Sequence, residues 1–218
     1  MSQVQIKICG VTSLKDAKAC AELGASMIGF NFYPQSSRYI EPEVARQIVV
    51  AMPHEARAVG VFVNTSAEEV REIAAVAGVR SVQLHGRASP AICSELAREF
   101  RVMRAFSTHA QFRPEEVSLF GDCDVLVDAH HPTLRGGTGL TCDWLVARAT
   151  RQFTRFLILS GGLNDQNVGQ AIATVAPHAV DVCSGVESAP GVKDHHALEN
   201  FIKAVRMADC PAQASSLC

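Results

Sequence analysis

The chain has 218 residues and a formal net charge of −2, with 20 Lys and Arg against 22 Asp and Glu. That near balance excludes the basic surplus of a nucleic-acid binder or a polybasic membrane anchor, so neither nucleic acid nor membrane is an expected partner. Hydrophobic residues at 48% and charged residues at 19% exclude a disordered chain and describe a well-cored globular one.

Short runs rich in Val, Ile and Phe alternate with stretches of helical period from one end of the chain to the other. A strand is predicted over 4–9, then a helix over 13–23 with Ser13 as N-cap and Gly24 as its stop. A strand over 27–32 and a helix over 42–51 follow. The next strand, 57–63, leads to a helix over 66–77 that opens on Ser66 with Glu69 three residues later, a capping box. Strands over 80–84 and 101–105 flank a helix over 89–99. One short helix in 112–118 precedes a strand over 123–128. Helices over 141–150, 164–174 and 194–206 and strands over 155–159 and 179–183 complete the domain, taken as residues 1–207. Residues 208–218 carry Pro, Ala, Ser and Gln without period and are expected to be a flexible tail.

Alternation of this kind makes parallel sheets. Eight units, with no gap long enough for a second core, point to a single-domain α/β fold, a (β/α)8 barrel near its smallest size. A doubly wound open sheet is the alternative, but it usually carries a glycine-rich first turn that Gly10-Val11-Thr12 does not supply. Polarity within the strands favours the barrel. Gln5, Lys7 and Cys9 share one face of the first strand, Ser81, Gln83 and His85 one face of the fourth, and Asp124 and Asp128 one face of the sixth. With helices covering the outside, such faces can only point inward. Polar groups at strand C-terminal ends describe an enzyme.

No run of about 18 apolar residues appears, so no bilayer span is expected. Residues 1–5 lack the basic-then-apolar layout of a secretory leader, and a cytoplasmic location is expected. The eight cysteines, at 9, 20, 93, 123, 142, 183, 210 and 218, form no Cys-x-x-Cys pair. Most are expected to be small buried hydrophobes, with no metal site.

Cys9 ends the first strand two residues after Lys7, on the same face, and a neighbouring ammonium favours the thiolate. Asp128 ends the sixth strand, where apolar surroundings would disfavour its charged form and suit a general acid; helix capping or a salt bridge is the competing role. Asp181 holds a similar place in the eighth strand, with substrate contact and ion pairing inside the barrel as equal alternatives. Ser160-Gly161-Gly162 and Ser184-Gly185 follow the seventh and eighth strands, the usual phosphate position of this fold. Gly136-Gly137-Thr138-Gly139 lacks the Lys of a P-loop and is read as a loop between the sixth strand and its helix. Arg38, after the second strand, could hold a carboxylate by a two-pronged contact.

These pieces resemble the phosphoribosylanthranilate isomerases. The resemblance rests on Lys7-Ile-Cys-Gly10, on Gly29-Phe-Asn-Phe-Tyr-Pro-Gln-Ser-Ser-Arg-Tyr39 and on Val82-Gln-Leu-His-Gly86. It continues through Gly136-Gly-Thr-Gly139, Ser160-Gly-Gly-Leu163, Asp181-Val-Cys-Ser-Gly-Val-Glu187 and Pro190-Gly-Val-Lys-Asp194, in register along nearly the whole chain. It implies an aldose–ketose isomerase of tryptophan biosynthesis that performs an Amadori rearrangement on a phosphorylated aminosugar without metal or organic cofactor, as a monomer or homodimer. It also implies Cys9 as base, Asp128 as acid, Arg38 as partner of the anthranilate carboxylate, and Gly161, Gly162, Ser184 and Gly185 as the phosphate loops. Leu140 and Cys142 depart from the family's usual Lys and Phe in the sixth loop. A synthase or epimerase of the same barrel type would need further Lys and Glu, or metal-ligand His and Asp, at strand ends, and the sequence supplies neither set.

Overall fold

A computed structural model describes residues 3–108, 111–128 and 142–209. Its first half runs β1 (Gln5–Ile8), α1 (Leu14–Glu22), β2 (Met27–Asn31), α2 (Pro42–Ala51), β3 (Arg57–Val63), α3 (Ala67–Ala77), β4 (Ser81–His85) and α4 (Pro90–Leu96). Next come β5 (Arg101–Ser107), a 3-10 turn (Pro114–Phe120), β6 (Asp124–Asp128), α5 (Cys142–Thr150), β7 (Leu157–Ser160), α6 (Val168–Val175) and β8 (Ala179–Val182). A hairpin of β9 (Glu187–Ala189) and β10 (Val192–Lys193) leads into α7 (His195–Asp209). β1 to β8 pair in chain order, every neighbour parallel, and β8 pairs back onto β1 to close an eight-stranded barrel. The open-sheet alternative is thereby excluded.

Strand alternation sorts side chains into two cores. Ile6, Ile28, Val82, Val125, Leu157 and Val180 face outward and pack with the buried faces of the helices. Met27, Val59, Met103, Ala105, Leu126, Ile158 and Ala179, of the opposite parity, form a separate cluster that fills the barrel. The polar faces read from the sequence share this inner parity: Lys7, Ser81, Gln83 and Asp181 are all buried. Lys7, fully buried, is held by Asp181 through Nζ–Oδ1 at 2.9 Å, across the β1–β8 seam.

Local capping follows the sequence closely. The Ser13 hydroxyl accepts from Asp16 N at 3.1 Å, and the Ser66 hydroxyl accepts from Glu69 N at 3.2 Å. Two expectations need correction. α6 begins at Val168, not near 164, because the Asn164 side chain accepts from Gln166 N and Asn167 N while the Asn167 side chain accepts from Asn164 N. Such side-chain turns compete with helical hydrogen bonding. α7 continues through Ala208 to Asp209, whose Oδ2 accepts from Val4 N at 2.7 Å, so the last helix also anchors the first strand. The β9–β10 hairpin was not foreseen, being only three and two residues per strand. His130, His131, Gly136 to Leu140, Cys210 and Cys218 lie outside the described residues, as does the Cys142 side chain.

The buried seam pair carries a stability cost when broken. Lys7→Met leaves Asp181 without its counter-ion and should lower unfolding free energy by about 3–5 kcal/mol near pH 8. The loss should shrink at lower pH, where the carboxyl takes up a proton; denaturant titrations at several pH values measure it.

Candidate active site

Because every barrel strand runs the same way, the residues at the strand C-terminal ends meet at one mouth. The β1–β8 register pairs Lys7 with Asp181 and Ile8 with Val182. Continued by one residue, it sets Cys9 beside Cys183, and Cys9 N donates to Val182 O at 2.9 Å. Gly29 leaves the room they need: a Cβ there would stand 3.0 Å from Cys9 Sγ and 3.3 Å from Lys7 Nζ.

Charge around Cys9 favours its thiolate. A hydrogen bond from the Cys183 thiol lowers its pKa most; burial opposes, and the Lys7 and Lys193 ammonium groups add to the lowering. The result lies well below an ordinary thiol. Lys7 favours the thiolate, as expected from its position two residues away, and is one of several contributors. Burial pulls the Lys7 ammonium down, but Asp181 and Cys9 beside it outweigh burial and raise it. Burial pushes the Asp181 carboxyl up to about 7 against the pull of Lys7. Of the two roles open to Asp181, the ion pair is the one observed. By contrast, burial pushes the Cys20 thiol up to about 12, and with Cys93 and Cys123 it is buried in the outer core, as expected of small hydrophobes.

Asp128 closes β6 at the same end of the barrel as Cys9, half-buried, while Asp124 at the other end of that strand pairs with Arg101 at 2.6 Å. Its neighbours in register are Ser107 on β5 and Ser160 on β7, polar where apolar surroundings were expected. The charges of Cys9 and Asp128 both bear on Asp181 and on His85. The two expected catalytic groups thus lie close enough to Asp181 and His85 for both to bear on them. His85, at the end of β4, is kept toward its neutral form by burial first and by Lys7 and Arg104, with Cys9 and Asp128 opposing. Its inward position beside Gln83 was visible in the strand alternation, but no role followed from it.

The two glycine loops come together. Ser184–Val186 forms a 3-10 turn after β8, and a Cβ on Gly185 would lie 2.0 Å from Leu163 O. Only glycine lets that loop approach the loop after β7. The amides of Gly161, Gly162, Ser184 and Gly185 make no hydrogen bond among the described residues. Beside the loop after β8, Arg38 does form a two-pronged contact, but with the protein: Nε stands 3.0 Å from Glu187 Oε1 and Nη2 2.7 Å from Oε2. Gly10, at φ +72°, makes room for the Arg38 stem, whose Cδ would lie 2.6 Å from any Cβ there. Lys193 Nζ donates to Glu187 Oε1 at 2.9 Å and to Cys9 O at 2.6 Å. Glu187, Lys193 and Cys183 stand in motifs quoted above, yet nothing local in the sequence joins them to Arg38 or Cys9.

Fold and mouth together define a (β/α)8 barrel enzyme. A sequence profile described as N-(5'phosphoribosyl)anthranilate (PRA) isomerase matches residues 6–204. The N-(5'-phosphoribosyl)anthranilate isomerase of Thermotoga maritima is 43% identical over 200 residues, covering 92% of this chain and 97% of that one. The crystal structure of phosphoribosyl anthranilate isomerase from the same organism superposes with a TM-score of 0.86 at 41% identity, covering 94% of this chain and 100% of that one. A phosphoribosyl anthranilate isomerase in complex with reduced 1-(o-carboxyphenylamino)-1-deoxyribulose 5-phosphate matches with a TM-score of 0.84 at 40% identity and the same coverage. The chain belongs to the N-(5'-phosphoribosyl)anthranilate isomerase family.

Glu187 supplies a pH test of this mouth. Burial pushes its carboxyl up, but Arg38 and Lys193 outweigh burial and hold it at about 2, below its ordinary 4.5. Its ionised form thus adds stability that is fully present above 4.5 and is lost as pH falls through 2. Acid titration of the denaturation midpoint should show a shallower loss over that window in Glu187→Gln than in the unaltered protein.

Proposed function

We propose that this chain performs its family's isomerisation of N-(5'-phosphoribosyl)anthranilate, a step of tryptophan biosynthesis, with Asp128 as general acid and Cys9 as general base. One observation carries the assignment of roles: Cys9, the residue after β1, and Asp128, the last of β6, stand at the same mouth, and the charges of both bear on Asp181 and His85 there.

The reaction is a pair of coupled proton transfers. Asp128 protonates the ribose ring oxygen, the C1′–O bond breaks, and the nitrogen lone pair forms a protonated Schiff base. The Cys9 thiolate then takes the C2′ proton, and the C–H electron pair becomes the double bond of an enolamine. Ketonisation returns a proton to C1′ and leaves the C2′ ketone of 1-(2-carboxyphenylamino)-1-deoxyribulose 5-phosphate. The acid must start protonated and the base ionised, the reverse of the order of free side chains at about 3.9 and about 8.5. The lowered pKa of Cys9 supports half of that inversion.

The ends of the substrate have matching surfaces. The unengaged amides of Gly161, Gly162, Ser184 and Gly185 suit the phosphate, since several amides converging on one point act as a partial positive charge. Arg38, engaged through Nε and Nη2, keeps its Nη1 end without a hydrogen bond among the described residues, a fit for the aryl carboxylate.

Loss of the aminosugar's anthranilate fluorescence on adding the protein measures the activity. Cys9→Ser and Asp128→Asn should each lower kcat by about 10²- to 10⁴-fold in a folded protein. Near-normal turnover in either variant removes that residue from its role. Gly185→Ala should raise KM more than it lowers kcat and weaken inhibition by inorganic phosphate. Unchanged phosphate inhibition would move the phosphate away from this pair of loops.

A further inference from the structure

The acid, the base and the anion loops leave one densely bonded part of the mouth without a role. Glu187 opens β9 with its side chain only 4% exposed. Arg38 approaches it through Nε at 3.0 Å and 3.1 Å and through Nη2 at 2.7 Å. Lys193 Nζ donates to it at 2.9 Å, Gly191 N at 3.3 Å, and the Cys183 thiol lies at 3.7 Å. Lys193, its side chain fully buried, also donates to Cys9 O at 2.6 Å and Cys183 O at 3.4 Å, so it is anchored to the backbone that ends β1 and β8. The Glu187 carboxylate is thereby fixed from behind. Of its two cationic partners, Arg38 is the partly open one, with a side chain 24% exposed.

That asymmetry matters for a flexible side chain. An Arg on a loop samples many rotamers, and a ligand that binds it must first order it; a partner that already holds one edge of the guanidinium removes that cost. The fork takes Nε and Nη2 and leaves the Nη1 end without a hydrogen bond among the described residues. Gly10 contributes by letting the Arg38 stem lie flat against the end of β1.

We propose that Glu187 is a positioning residue: it holds the Arg38 guanidinium in the orientation that receives the aryl carboxylate of the substrate. The proposal rests on the reading of Arg38 given above. A carboxylate that only staples the β9–β10 hairpin to the barrel would act on folding and on all substrates alike. A positioning carboxylate acts through Arg38 and only on substrates that carry the carboxylate.

Steady-state kinetics and thermal melting of Glu187→Gln, Arg38→Ala and the double variant separate these roles. The substrates are the anthranilate aminosugar and the corresponding aniline aminosugar, which lacks the carboxylate. Expected is a KM for the anthranilate compound raised about tenfold or more in Glu187→Gln, with a smaller change in kcat. The KM for the aniline compound should stay unchanged, and Glu187→Gln should add no further KM effect once Arg38 is Ala. Arg38→Ala without effect on KM refutes the reading of Arg38 itself, and the proposal with it. An effect of Arg38→Ala without one of Glu187→Gln overturns the proposal alone, as does an equal rise on both substrates. If Glu187→Gln does not fold, Glu187→Asp, which keeps the charge but shortens the reach, takes its place. Loss of cooperative melting in both makes Glu187 a staple of the fold and overturns the proposal.

Discussion

The seam between the last barrel strand and the first is the constraint on which the rest of this structure depends. Seven of the eight strand pairings join consecutive β–α units, but β8 must find β1 across almost the whole chain. At the centre of that seam a buried ammonium and a buried carboxylate satisfy each other at 2.9 Å. Either charge alone would carry a desolvation cost that apolar packing does not offset, so the pair favours the one register in which both are met. In that register Cys9 stands beside Cys183, and Lys193 reaches the carbonyls of both.

The mouth is organised as opposed charges in layers. Lys7 and Asp181 neutralise each other at the bottom, and Glu187 lies between Lys193 and Arg38 at one rim. The Cys9 sulfur stands near two ammonium groups, each already committed to a carboxylate. Such commitment keeps the cations in place without letting either quench the sulfur outright. The anion-binding role proposed for the glycine loops after β7 and β8 would rest on backbone amides, whose protons do not titrate in the ordinary pH range.

Much of this was legible beforehand, and the reasons are local. Strand and helix periods come from side chains two to four residues apart, so the eight units and the inward polar faces were readable. The Ser13 and Ser66 caps were readable for the same reason, since each hydroxyl meets an amide three residues away. The start of α6 was misread because Asn164 and Asn167 bond each other's backbone, an option that competes with the helix over the same few residues. The hairpin of β9 and β10 was invisible because two or three residues are too few to show a period. Resemblance of motifs pointed to Cys9, Asp128, Arg38 and the glycine loops, but residue types did not say what surrounds them. Asp128 proved to lie between Ser107 and Ser160, and the Arg38 fork proved to be closed on Glu187.

By itself, then, the sequence determined the alternation, the polarity of each strand face and which strand ends carry reactive side chains. All of these follow from bonds and contacts within a few residues. Only the tertiary structure decided the partners: Lys7 with Asp181, Arg38 with Glu187, and Lys193 with the Cys9 carbonyl, at separations of 174, 149 and 184 residues. Those contacts come into being when the barrel closes. Their strength depends on burial, a property of the closed barrel that no short stretch of the chain possesses.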